Sequence, residues 1–366
     1  MDDRTGQLSF ENEFSPEKLR LARCAAGLSL AELGVLLGVS RQYAHKLEIN
    51  AVPNRTQLQL ITKALGVTEA FLSSPRRGSV ELEQCHFRSL RSSTQTVKKS
   101  IASQVELFEM LLTELEKEVD FPKVGFDPFE EPITGDDVIE RAAEGFRRQL
   151  SVGIGPIANI TRLLESAGVL VVSLADADDR VDAFSLFNKR PLIVRNTAKE
   201  NPCRQRFDLA HELGHLVMHQ GIETGCRETE AQANQFASAL LMPRASFGGE
   251  FPAMRGQYLN WSALGELKMR WKVSFKAIIY RAQSLNLITQ DQARSGFTYL
   301  NRNGFTKREE LDERIEMECP TLVQKAIDLM DHASWRVILK DSGLTDSLVT
   351  DRFMLKVPAA PLSLVK

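Results

Sequence analysis

Apolar residues recur three and four positions apart along most of this chain, the spacing of amphipathic helices, and give way to short β-branched runs only near its middle. In the N-terminal part the pattern comes in pieces with start and stop signals. Ser15-Pro16 opens one helix, which runs through Leu19, Leu21 and Ala22 to Gly27. Ser29-Leu30-Ala31-Glu32 has the spacing of a capping box and opens a second, through Leu33, Leu36 and Leu37 to Gly38. Ser40 heads a third, from Arg41 to Glu48. Two short helices joined across a glycine turn predict a helix-turn-helix within a bundle over residues 15–72, and the second helix of such a pair enters the DNA major groove.

Residues 73–79 and 89–100, rich in Ser, Thr and base, read as linker. A helix from Ile101 to Val119 follows, connecting or dimerising, and Phe121-Pro122 ends it. Helices are predicted over Asp136–Leu150 and Ile157–Ala167, then strands over Gly168–Ser173, Asp182–Phe187 and Leu192–Val194. Beyond them the apolar spacing around Leu213, Leu216 and Val217 gives a helix of about three turns. A second follows from Glu228 to Leu241, closed by Pro243. Trp261–Trp271, Ser274–Leu285 and Cys319–Ser342 are the clearest later helices. The fold class is therefore mainly α with a small β-sheet (α+β), in two or three domains.

The first long helix after the strands carries the chemistry. His211-Glu212-Leu213-Gly214-His215 sets two imidazoles four residues apart, on one helical face, so both reach one Zn²⁺ while Glu212 reaches a water on it. His219 lies a further turn along, outside the ligand set, and Gly221 stands where a longer three-histidine pattern would need histidine. A catalytic zinc takes three protein ligands and leaves one place for water. Glu230 is the candidate third, one turn before the buried Ala233 on the next helix, because a carboxylate on a core-facing stripe needs a cationic partner. Glu228 and Glu223 compete for that place. With these ligands Glu212 is the base that takes the water's proton and passes it to a leaving amine, which describes hydrolysis of a peptide bond. An exposed strand edge beside the site would hold an extended substrate, so Ala183, Phe184 and Ser185 are candidates to line the cleft. Tyr280 and Arg281 are weaker candidates for oxyanion contact.

Charge separates the front of the chain from its body. Thirteen Lys and Arg against six Asp and Glu between Ser15 and Ser100 leave +7 there, and the whole chain carries −2, so the remainder carries −9. A basic front on an acidic body fits phosphate contact by the front alone. Ser40, Arg41, Gln42, Tyr43 and Lys46, at the start of the third helix, are the candidate DNA contacts, Gln42 suited to adenine and Arg41 to guanine. No run of about twenty apolar residues appears, and Met1-Asp2-Asp3-Arg4 does not open a signal peptide, so the reading is cytoplasmic with no membrane partner. Five scattered cysteines exclude a disulfide framework and a cysteine zinc knot. Because helix-turn-helix proteins read paired half-sites, a homodimer is expected.

Three blocks, Arg204 to His219, Glu230 with Ala233-Asn234-Gln235-Phe236-Ala237, and Leu240-Leu241-Met242-Pro243, together resemble the ImmA/IrrE family of metallopeptidases. Ser29 to Leu72 is similar to the XRE-type helix-turn-helix, and Trp271-Lys272-Val273-Ser274 with Tyr280-Arg281-Ala282 resembles the helical region that follows the peptidase core. The resemblance implies a zincin-like domain over residues 131–300, an N-terminal extension over 1–14, a linker and connecting helix over 73–130, and a helical region of unknown role over 301–366. It implies that His211, His215 and Glu230 bind zinc, or manganese in its place, with Glu212 as base. It also implies a protein substrate, a repressor, an antitoxin or the chain itself, and operator DNA as the second partner. The family's separate-chain members cut a repressor encoded nearby. Here the DNA-binding module shares the chain, so a second reading stands beside the first: a transcriptional repressor or antitoxin whose metal domain senses or docks a ligand without proteolysis.

Overall fold

A small mixed sheet divides the molecule into two cores. In the computed structural model, which describes residues 14–75, 85–86, 94–174, 183–196, 201–222, 224–306 and 308–359, strands β1 (Cys85–His86), β2 (Leu170–Leu174), β3 (Ala183–Phe187) and β4 (Pro191–Asn196) lie in the order β1-β3-β4-β2. β2 and β4 are parallel, while β3 is antiparallel to both β4 and β1. Successive side chains of a strand point to opposite faces, and each face here has its own cover. Leu170, Val172, Leu174, Phe184, Leu186, Leu192 and Val194 join one core, and Val171 and Ile193 join the other.

The first core holds the N-terminal bundle. Its helices are α1 (Pro16–Ala25), α2 (Leu30–Leu37), α3 (Arg41–Leu47), α4 (Arg55–Leu65) and α5 (Glu69–Ser73). Ser15, Ser29 and Ser40 cap the first three as their spacing predicts, Ser29 in a reciprocal box with Glu32. Gly34 lets α2 meet the following turn, since a Cβ there would stand 2.9 Å from the Val39 carbonyl oxygen. Helix α6 (Gln95–Glu118) packs its apolar stripe, Ile101, Val105, Phe108, Leu111, Leu112 and Leu115, into this core. That stripe is covered within the chain and offers no dimer face. α6 also starts earlier than Ile101, because Thr94 caps it by accepting from the Val97 amide.

The second core is built from α7 (Asp136–Gln149), α8 (Ile160–Ser166), α9 (Pro202–Met218), α10 (Arg227–Leu241), α11 (Arg244–Glu250), α12 (Trp261–Trp271), α13 (Phe275–Ser284) and α14 (Gln290–Arg302). α9 is longer than its apolar spacing predicts, because Asn201 caps it and Pro202 takes the first helical position, where no amide donor is needed. α9 and α10 approach closely at Gly214, where a Cβ would stand 3.0 Å from the Phe236 ring.

The chain then returns to the first core. The stretch predicted as one helix from Cys319 to Ser342 is two, α15 (Leu322–Asp328) and α16 (His332–Ser342), because Asp331 caps a fresh start by accepting from the Ser334 amide. With α17 (Asp346–Phe353) they close the first core. Backbone bonds Thr68 N–H to Gly343 O (2.9 Å) and Thr345 N–H to Gly66 O (3.1 Å) knit this tail to the N-terminal bundle. On the way, residues 309–321 pass behind α9. Glu318 pairs with the fully buried Arg206 of α9, and Gln205 bonds the Glu318 amide and carbonyl, so the tail clamps the helix that carries the two histidines. Losing one partner of such a buried pair costs about 3–5 kcal/mol. No helix among the described residues is long and apolar enough to cross a membrane.

Candidate metal centre

α9 turns His211 and His215 onto one face, and the close contact at Gly214 brings α10 alongside so that Glu230 completes a triangle. His211 Nε2 and His215 Nε2 are 3.2 Å apart, His211 Nε2 and Glu230 Oε2 3.4 Å, and His215 Nε2 and Glu230 Oε1 3.6 Å. Ligands held about 2.0–2.1 Å from a tetrahedral metal stand roughly 3.3–3.4 Å from one another. The observed triangle has that size.

The surrounding hydrogen bonds choose the ring tautomers. His211 Nδ1 is 3.1 Å from Asn234 Oδ1, an acceptor, so its N–H lies at Nδ1 and its lone pair at Nε2. His219 Nε2 donates to Gln232 Oε1 at 2.8 Å, which leaves His219 Nδ1 to accept from His215 Nδ1 at 2.9 Å. His215 then also presents its lone pair at Nε2. Two lone pairs 3.2 Å apart beside a carboxylate repel unless something positive lies between them. Burial pushes the Glu230 carboxyl up, but the rings of His211 and His215 outweigh it and hold it down to about 2. A divalent cation supplies that positive charge with the ring tautomers already set. The donor set therefore fits a metal ion.

Glu212 lies between the histidines and is 2 % exposed. Its Oε2 accepts from the Ser185 hydroxyl at 2.7 Å, which brings strand β3 directly against the acid. Ser185 is fully buried and pairs in register with Ile193 on the face that meets α9.

The other sequence candidates fall elsewhere. Glu228 is exposed at the start of α10, and Glu223 lies outside the described residues. Arg281 is buried and paired with Glu140 and the Met242 carbonyl, while Tyr280 is 55 % exposed against Phe297. His219, expected outside the ligand set, is 1 % exposed and orients His215. Burial and the neighbouring His215 lower it to about 4. Sequence reasoning passed over Asn234 and Gln232 as partners of the histidines. The signal was there for Asn234, four residues after Glu230 and so on the same face of α10. The edge of β3, expected to be exposed, is instead paired with β1, Cys85 opposite Leu186 and His86 opposite Ser185.

Far along the chain, α3 shows Ser40, Arg41, Gln42, Tyr43 and Lys46 to solvent while Ala44 and Leu47 are fully buried. Arg23 of α1 pairs with Glu48 at the end of α3, fixing the exposed helix to the bundle.

Comparison with known families agrees with both regions. Residues 164–283 match the IrrE N-terminal-like domain, a metallopeptidase family, and residues 19–72 match the helix-turn-helix family. A search of curated proteins gives no match to the chain.

Proposed function

Since one chain joins an IrrE N-terminal-like domain to a helix-turn-helix DNA-binding domain, we propose that it is a DNA-bound regulator that hydrolyses a peptide bond in a regulatory protein of the repressor or antitoxin type. The observation that carries the chemistry is the triangle of His211, His215 and Glu230, of a size that fits a tetrahedral metal and with tautomers that turn both Nε2 lone pairs inward. Zinc is the ion of choice for two imidazoles and a carboxylate, with manganese the alternative. Held there, it supplies Lewis acidity to a water and to the scissile carbonyl.

The rest is done by the chain. Glu212 takes a proton from the attacking water and hands it to the departing amine nitrogen, a transfer that needs the carboxylate ionised and aimed. The Ser185 hydroxyl supplies the aim. Asn234 holds the His211 ring from the other side, and the Glu318 clamp on Arg206 holds the helix that carries it. Near-complete burial of the site keeps other waters away from the reacting bond. The exposed face of α3 would place this chemistry at an operator, in the cytoplasm and as a homodimer on paired half-sites.

The test is regulation of a promoter adjoining the gene. Glu212→Gln should keep metal and DNA binding and lose cleavage and induction together. Should it regulate like the wild type, the metal domain acts by sensing or docking instead.

A further inference from the structure

Where the tail is knitted to the N-terminal bundle, the ends of α1 and α4 meet α6 and α17 around a cleft of about 220 Å³. Ala25, Leu107, Leu348 and Phe353, all members of the first core, form its apolar wall. Its polar lining is Lys63 of α4, Gln104 of α6, and Asp351 and Arg352 of α17. Gln104 is 5 % exposed, and while its Nε2 donates to the Ser100 hydroxyl, its Oε1 has no hydrogen-bond partner among the described residues. An acceptor buried without a donor is costly, and a ligand that brings an N–H removes the cost. Gln104 Oε1 and the Asp351 carboxylate call for an ammonium, whereas Lys63 and Arg352 call for a carboxylate. A simple inorganic anion would answer the two cations and leave Asp351 facing like charge. Size narrows the choice further. A cavity of about 150 Å³ holds benzene, so this one takes in proportion a molecule of about nine non-hydrogen atoms.

We propose that the cleft binds one free apolar α-amino acid. Its ammonium answers Gln104 Oε1 and Asp351, its carboxylate answers Lys63 and Arg352, and its side chain lies against Leu107, Leu348 and Phe353. Few polar groups converging on an apolar wall are the usual make-up of a small-molecule site. The bound molecule touches helices of the DNA-binding bundle and of the tail at once, so it stabilises the packing of one on the other. The metal has no part in it, because every wall comes from helices of the first core.

The experiment titrates the full chain, freed of metal by a chelator, with L-leucine, L-valine and L-methionine in a calorimeter and follows thermal unfolding alongside. At least one of the three should bind one site per chain and raise Tm by a few degrees at a concentration a hundred times its Kd. The amide of that amino acid, which lacks the carboxylate, and its deaminated acid, which lacks the ammonium, should each bind at least about tenfold more weakly. Lys63→Met changes an exposed position and should weaken binding about tenfold with the fold intact. Gln104→Leu removes the unpartnered oxygen and should weaken it about tenfold or more, its own melt showing that the chain is folded. Absence of heat and of any rise in Tm with all three amino acids overturns the proposal. So does equal affinity for the amide or the deaminated acid, and so does full affinity in both variants.

Discussion

Ser185 Oγ lies 2.7 Å from Glu212 Oε2 and 3.3 Å from the carbonyl oxygen of the same residue, so one strand hydroxyl is tied to both side chain and backbone of the acid between the two histidines. This acid is aimed by a neighbour that is no ligand. Ser185→Ala should lower kcat on casein by about tenfold with KM and zinc content unchanged, whereas Glu212→Gln should lower it by about a hundredfold to ten-thousandfold. A loss of zinc in Ser185→Ala would show that the hydroxyl shapes the site and does not orient the base.

Metal binding should be read as stability. An ion that binds only the folded chain stabilises it by about 2.7 kcal/mol at a free concentration a hundred times its Kd. Zinc should therefore raise Tm of the wild type by several degrees, and Glu230→Ala, lacking the third corner of the triangle, should show little of that rise. Calorimetric titration of both proteins checks it.

Acid should weaken the metal-free protein in two joined windows. Burial beside His215 lowers His219 to about 4, against about 6.5 in an unfolded chain. The unfolded state then binds more protons between those values, so stability is full above about 6.5 and falls as pH drops toward 4, by up to about 3 kcal/mol. Glu230, held down to about 2, keeps its contribution above its unfolded value near 4.5 and loses it as pH falls toward 2. Thermal melts from pH 7.5 to 4 should show the first slope, and His219→Gln should flatten it.

On the DNA side, Arg41→Ala and Gln42→Ala should each cost about 1–3 kcal/mol for the best operator if they read base edges. Lys46→Ala should weaken binding on all sequences and reduce the salt slope by about 1, the signature of one phosphate contact. Fluorescence anisotropy across a salt series separates the two kinds.

Gly214→Ala tests the spacing of α9 and α10. Its Cβ would stand 3.0 Å from Phe236 Cδ1 and 3.3 Å from Phe236 Cβ and Cγ, so α10 must move outward. The expected cost is about 1–3 kcal/mol, and zinc affinity should fall with it, because Glu230 rides on the displaced helix. Unchanged affinity in a destabilised Gly214→Ala would show that α10 does not set the triangle.

The histidine pair, the acid between them and the serine caps were legible because each is a local pattern, five residues or fewer in length. Glu230 was legible by its place on a buried stripe. What lay hidden depends on distant pairing. Nothing near Glu318 announces that it will meet Arg206 more than a hundred residues away, and a two-residue strand at Cys85–His86 has no periodicity to detect. The division of the sheet between two cores was hidden for another reason. Val171 and Val172 are both β-branched, and only the assembled layers decide which faces the metal helices. The break at Asp331 was missed because apolar spacing continues across it.

The pairing of Val67 with Leu344, flanked by the bonds at Gly66 and Thr68, makes spatial neighbours of stretches far apart in sequence. The bundle that carries the exposed face of α3 thus shares a foundation with the tail. Shortening the C-terminus by α17 alone should register at the operator, even though every side chain proposed to touch DNA is left in place.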